Sequence, residues 1–281
     1  MALPADFDLD DFVKRALAED LGSGGDVTST ATITKDARFT AEMNARQPIV
    51  VAGLDIAAAF FRALDPAVQI DVPTNDGDRV QRGTTLMRLS GNARAMLAAE
   101  RSALNTLQHL SGIATVARTY VDAIAGTGAV LLDTRKTIPG LRALEKFAAR
   151  MGGAQNHRMR LDDGVLIKDN HVAVCGGVAE AVRLAKAANT GLQVQVEVDR
   201  TDQIEPALAA GADRLLLDNM DPARLREAVR LVAGRVPLEA SGGVTLDSIR
   251  FLAETGVDFI SVGRITQSAP AVDIGLDYSI S

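Results

Sequence analysis

Tryptophan is absent from this chain, aromatic residues make up only 4% of it, and it has one cysteine. Without aromatic-rich basic stretches, and with a formal net charge of −6, it does not fit a general binder of DNA, RNA or anionic membranes. A single cysteine excludes an intrachain disulfide and points to a reducing compartment. Cys175 lies beside Gly176-Gly177 at the expected start of a helix, with no histidine next to it. It reads as a structural thiol and not a nucleophile. No apolar run is long enough to span a bilayer. The acidic stretch from Met1 to Asp11 lacks the cationic start and apolar core of a secretory signal. A soluble cytoplasmic protein is expected. Three histidines and one cysteine show no zinc-type spacing.

What is present is a repeated pattern in the second half. Short apolar runs end abruptly in charged or glycine-rich residues. Ala129–Leu132 leads into Asp133-Thr134-Arg135-Lys136-Thr137, and Val165–Ile167 into Lys168-Asp169-Asn170. The strand-like run from Val194 to Val198 carries Glu197, with Asp199 after it. Leu215–Leu217 ends in Asp218-Asn219, Leu238 leads to Ser241-Gly242-Gly243, and Phe259–Val262 ends in Gly263-Arg264. Apolar runs of this length read as buried parallel strands, and ligands gather at the carboxyl ends of such strands. The series predicts an α/β barrel of about six strands with its site at the strands' C-terminal mouth.

The first hundred or so residues differ. Helical spacing over Leu9–Leu21, strand-like runs at Phe39–Ala45, Ile49–Val51 and Thr85–Leu89, and a helix over Asp55–Leu64 suggest a small α+β domain. A helix from about Asn92 to Leu110 joins it to a second helix that includes Tyr120. There is no low-complexity segment and no repeat beyond the β-α unit.

Charge is unevenly spread. Between Asp133 and His171 the cations Arg135, Lys136, Arg142, Lys146, Arg150, Arg158, Arg160 and Lys168 outnumber the carboxylates, which fits a small anionic substrate. Glu197 and Asp218 end adjacent strands. They suit a magnesium site, the favoured reading because oxygen-only ligands match that ion; the alternatives are an acid–base pair or salt-bridge partners for Lys136 and Lys168. Gly-Gly in one late loop and Gly263 in the next suit a phosphate held by backbone N–H groups. Arg135, His157, Arg158 and Lys168 together could neutralise a diacid, arginines supplying paired donors; His157 could instead make a cap or core hydrogen bond. His109 and His171 read as structural. Arg101 shares a helix face with Leu97, Leu104 and Gln108. It either pairs with an acid such as Glu100 or reaches a ligand, including one held by another subunit.

The segments Ala18–Gly22, Gly25–Thr28, Glu100–Asn105, Ser111–Thr115, Asp133–Arg142 (DTRKTIPGLR), Asn156-His157-Arg158, Leu166–Val172 (LIKDNHV), Leu217–Asn219 and Asp273–Asp277 resemble the quinolinate phosphoribosyltransferase family. The similarity runs from about Ala16 to Tyr278. It implies a type II phosphoribosyltransferase fold: an α+β domain over residues 1–110, joined by the tail 269–281, and an incomplete α/β barrel over 111–268. It implies decarboxylating transfer of phosphoribose to quinolinate in NAD synthesis, with magnesium, in a homodimer whose active sites are shared between subunits. By the match, Arg135, His157, Arg158, Lys168 and a partner subunit's Arg101 would hold quinolinate. Lys136, Lys168, Ser241, Gly242, Gly243, Gly263, Arg264 and Gln267 would hold phosphoribosyl pyrophosphate, and Glu197 and Asp218 the metal; Lys136, Lys168, Glu197 and Asp218 are the expected catalytic set. Gln267 stands where many relatives have histidine, and Arg160 where many have glycine. Rival readings are a non-decarboxylating paralogue, a Schiff-base lyase using Lys136 or Lys168, and a binding protein that has lost turnover.

Overall fold

In the computed structural model, which describes residues 3–4 and 7–279, Asp8 starts the first helix. Its carboxylate accepts a hydrogen bond from the Asp11 amide at 2.9 Å, satisfying one free donor of α1 (Leu9–Leu21), which ends at Gly22. Then follow α2 (Val27–Thr32), β1 (Arg38–Ala45), β2 (Ile49–Val50), α3 (Leu54–Leu64), β3 (Gln69–Asp71), β4 (Arg79–Val80), β5 (Thr85–Asn92) and the long α4 (Ala93–Ala123). The second half runs β6 (Val130–Leu132), α5 (Arg142–Met151), β7 (Val165–Ile167), α6 (Asp169–Cys175), α7 (Val178–Ala187), β8 (Val194–Val198), α8 (Ile204–Ala209), β9 (Arg214–Asp218), α9 (Pro222–Val232), β10 (Leu238–Ser241), α10 (Leu246–Ala253), β11 (Phe259–Ser261), α11 (Arg264–Gln267) and β12 (Ile274–Ser279).

Two units emerge. The first takes in the chain up to Val116, the stretch Ala143–Gly152, and the chain from Ser268 on. Its main sheet has the order β12-β1-β5-β3, antiparallel throughout. Alternate residues of β1, Ala41, Met43 and Ala45, are buried, the period expected of a sheet with one covered face. Phe60 and Phe61 of α3 are core residues, and Phe12 of α1 meets Phe60 edge-on with ring centroids 6.0 Å apart. His109 and the fully buried Glu145 are 2.9 Å apart here, a structural pairing.

Two expectations about helices are corrected. The predicted break near Leu110 does not exist, because α4 is one helix of 31 residues. Gly112 lies inside it, and its missing side chain leaves room for the chain: a Cβ there would stand 2.2 Å from the Pro270 carbonyl oxygen. Cys175 ends α6 instead of starting a helix, because Gly176 takes the left-handed conformation (φ 84°) and caps it.

The second unit, Ala117–Arg142 and Gly153–Gln267, holds the six expected strands. They form one parallel sheet of order β6-β11-β10-β9-β8-β7. The first and second strands of the series are the two edges, so the barrel is left incomplete between them. A single residue, Gln155, bridges toward β6: its amide donates to the Leu131 carbonyl at 2.9 Å and its carbonyl accepts from the Asp133 amide at 3.0 Å. Leu215 and Leu217 of β9 and Val194, Val196 and Val198 of β8 are buried, as parallel strands covered by helices require. Among the described residues, no helix is long and apolar enough to cross a membrane.

Candidate active site

All six strands run the same way, so their polar terminal residues converge on one mouth. Period-two alternation aims Glu197 of β8, Asp218 of β9 and Ser241 of β10 to one side, and Asp218 and Ser241 are direct neighbours in register. A cavity of about 820 Å³ opens there, within the range of small-molecule sites. Arg135, Lys136, His157, Arg158, Lys168, Glu197, Asp218, Ser241, Gly242, Gly243, Gly263, Arg264 and Gln267 all line it. Of the residues expected from sequence, only Arg101 lies elsewhere. It sits on α4 in the first unit, its side chain 57% exposed and 4.0 Å from Glu100. The buried apolar stripe that would make Arg101 costly is therefore not its environment in this chain.

Asp133 organises one wall. It is fully buried at the end of β6, and its carboxylate accepts hydrogen bonds from the His157 amide at 2.8 Å and from the Asn156 side chain. Arg142 clamps the neighbouring loop, its guanidinium donating to Thr137 Oγ1 and to the Met159 carbonyl, both at 3.1 Å. Arg158 donates to the Gly164 carbonyl at 2.9 Å. The Nε groups of Arg135 and Arg158 are nonetheless buried without a hydrogen-bond partner. Burial and the adjacent Arg135 charge push the Arg158 guanidinium below its ordinary value. Two cations held together, partly dry and incompletely bonded, form a site awaiting an anion.

The facing wall is anionic. Lys168 Nζ lies 3.1 Å from Glu197, so the salt-bridge reading of this carboxylate is realised. Asp218 is pushed above the ordinary carboxylate range by burial and by the Glu197 charge, against a hydrogen bond from Asn219. Two oxygen-donor groups on adjacent strands, one still short of compensating charge, suit a hard divalent cation. No group of three or more His, Cys, Asp or Glu side chains is placed to hold a metal ion among the described residues, so such an ion would draw its other ligands from substrate or water.

The glycine-rich wall is shaped by close approaches. Gly242 has φ 91°, and a Cβ on it would stand 2.2 Å from Asn219 Oδ1; no other residue type fits there. Gly263 lets Lys136 pass, since a Cβ would be 2.7 Å from Lys136 Cδ. Thr266 Oγ1 donates to the Lys136 carbonyl at 2.8 Å, tying α11 to the Lys136 loop.

The eight cations counted together in sequence are not one cluster. Arg135, Lys136, Arg158 and Lys168 reach the cavity, whereas Lys146 is fully buried in the first unit with Arg150 near it in sequence. Arg160 does not line the cavity; its Nε is 3.0 Å from Asp162. His171 is structural, its Nδ1 accepting the Lys168 amide at 3.0 Å. Sequence reasoning assigned no site role to Asn219, Glu239 or Gln195. Asn219 holds Asp218 Oδ2 at 2.6 Å from a left-handed backbone (φ 54°), and its place right after a strand-end aspartate was the available signal.

Such a barrel, with paired arginines opposite paired carboxylates and a glycine cradle between, defines an enzyme acting on small, phosphate-bearing anions. The sequence comparisons make that class specific. Sequence profiles for the quinolinate phosphoribosyl transferase N-terminal and C-terminal domains match residues 26–111 and 113–277. The chain is 44% identical over 275 residues to a nicotinate-nucleotide pyrophosphorylase [carboxylating] of Mycobacterium leprae, covering 95% of this chain and 96% of that one. It is 42% identical to a probable enzyme of the same name from Bacillus subtilis, over 94% and 91% of the two chains. The solved nicotinate-nucleotide pyrophosphorylase of Francisella tularensis superposes with a TM-score of 0.92 at 41% identity, covering 96% of each chain. The chain belongs to the quinolinate phosphoribosyl transferase family.

Proposed function

We propose that this protein transfers phosphoribose to quinolinate with loss of carbon dioxide, giving nicotinate mononucleotide and pyrophosphate. The observation that carries this reading is the Arg135–Arg158 pair, buried Nε groups unbonded, in the same cavity as Glu197, Asp218 and the glycine loops. One wall suits an aromatic diacid and the other a phosphorylated sugar.

Arg135 and Arg158 bind the carboxylates of the pyridine, joined by Arg101 of the partner subunit in a homodimer with shared sites. Lys136, Ser241, Gly242, Gly243, Gly263, Arg264 and Gln267 receive the phosphates of phosphoribosyl pyrophosphate. The pyridine nitrogen attacks the anomeric carbon; the N–C bond forms as the C–O bond to pyrophosphate breaks, and its electron pair leaves with pyrophosphate. The nitrogen has no proton to lose, so no general base is needed. Positive charge on the sugar ring is stabilised by Glu197 and Asp218. Lys168 bridges the two halves by its pairing with Glu197. The carbon–carbon bond to the adjacent carboxylate then breaks, the electron pair left on the ring is stabilised by the pyridinium charge, and a proton replaces carbon dioxide. Glu197 and Asp218 would hold Mg2+, which supplies charge neutralisation for the departing pyrophosphate when bound. The lone cysteine is compatible with a reducing cytoplasm.

Purified protein given quinolinate, phosphoribosyl pyrophosphate and Mg2+ should release carbon dioxide and pyrophosphate in equal amounts. Absence of both overturns the reading. Equal turnover of nicotinate without gas release would instead identify a non-decarboxylating enzyme, and borohydride trapping of substrate on Lys136 or Lys168 a lyase.

A further inference from the structure

Beneath the mouth, the barrel interior carries a second charged layer. Glu239 is fully buried and sits two residues before Ser241 on the same face of β10. Its Oε2 accepts from Gln195 Nε2 at 2.8 Å, and lies 2.7 Å from Arg214 Nη2 and 3.4 Å from His157 Nε2. Arg214 in turn stacks on Phe259, its Cζ 3.9 Å from the ring centroid. Burial opposes the Glu239 charge, but the hydrogen bond from His157 and the charge of Arg214 outweigh it and hold the carboxyl below its ordinary range. Buried ion pairs seldom add stability over apolar residues of the same volume. This one therefore calls for a use at the cavity floor.

His157 supplies the use. Its Nδ1 accepts the Arg158 amide at 2.8 Å, so the ring proton lies on Nε2, which faces Gln195 Oε1 at 3.2 Å as well as Glu239. Both ring nitrogens are engaged by the protein. The ring is a strut between the buried carboxylate and the backbone of Arg158, and Asp133 holds the same stretch from the other side through the His157 amide.

We infer that Glu239 is a positioning residue for aromatic-diacid capture, acting through His157 to set the Arg158 guanidinium. The inference rests on the function proposed above, and adds an orienting role to His157, which lines the cavity.

Steady-state kinetics of the full chain, varying quinolinate and phosphoribosyl pyrophosphate separately with Mg2+ present, test it. Glu239→Gln should raise the quinolinate KM about tenfold, the scale of one charge-assisted hydrogen bond, and leave the phosphoribosyl pyrophosphate KM within about twofold. In a His157→Asn background the same change should add less than about twofold, because the two residues act in series. An unchanged quinolinate KM, an equal rise in both KM values with a fallen kcat, or a full second loss in the double variant overturns the inference. If Glu239→Gln does not fold, Gln195→Met cuts the amide link and keeps the Glu239–Arg214 pair; the same KM split is expected, and unchanged KM values overturn the inference. A wild-type protein that releases no carbon dioxide defeats the proposed function. An active wild type with a normal Glu239→Gln variant defeats only the role of Glu239.

Discussion

Arg158 is held near Arg135 with its Nε unbonded, so its charge is worth most when a carboxylate arrives. Arg158→Ala should weaken quinolinate capture by about 2–5 kcal/mol, the scale for truncating one partner of a buried charge pair, with phosphoribosyl pyrophosphate binding preserved. Separate isothermal titrations with the two substrates check this; equal losses for both would remove Arg158 from the diacid wall. Asp218 bears on stability. Its carboxyl is raised by burial and by Glu197, so the folded state favours its protonated form. That contribution is fully present below the ordinary carboxylate range and is lost as pH rises through the raised value. At neutral pH the ionised group is therefore a cost, and Asp218→Asn should raise Tm while abolishing turnover. The acid limb of activity should also lie above the ordinary aspartate range and move down in Glu197→Gln, which pH–rate profiles would reveal. Residues at strand ends, such as Asp218 and Lys168, are legible in sequence because a polar residue ends an apolar triplet. Glu239 and Arg214 were not, since Glu239 is a single charge within an apolar run, Arg214 sits beside Asp213 at the start of another, and the two lie 25 residues apart along the chain.

At the level of elements, the six parallel strands follow from their apolar runs, whose lengths and borders leave little alternative. Helix α4 does not, because helical spacing does not distinguish two adjoining helices from one long helix that carries Gly112. Its cause is non-local: the Pro270 carbonyl passes where a Cβ would stand, 2.2 Å away. Gly112→Ala tests the two influences against each other. Intrinsic propensity favours alanine in a helix by about 1 kcal/mol, whereas forcing a methyl group against backbone costs about 1–3 kcal/mol. The clash should win, and the melting temperature should fall by a few degrees in calorimetry. A rise would show that the tail yields easily. The Gln155 bridge was equally hidden, because one residue gives no periodicity to read.

For the whole molecule, net acidity surrounds a cavity walled on one side by arginines, and the division of labour among walls extends to the proposed dimer. Arg101 is exposed and only loosely associated with Glu100, in keeping with a role on a partner subunit. Mixing inactive Arg101→Ala and Lys168→Ala proteins should therefore regain part of the activity as heterodimers form. Verified exchange without recovery would count against sharing. Arg101 could not be assigned from helix spacing alone, since the same stripe fits an intrachain ion pair.

The open seam between β6 and β7 has an engineering consequence. The stretch 156–163 belongs to no ladder; Asp133 ties down Asn156 and His157 and Arg142 the Met159 carbonyl, which leaves its exposed tip, 160–163, as the part open to exchange. Libraries or insertions confined to that tip should leave intact both the proposed diacid wall and the proposed sugar-phosphate cradle on β9, β10 and β11.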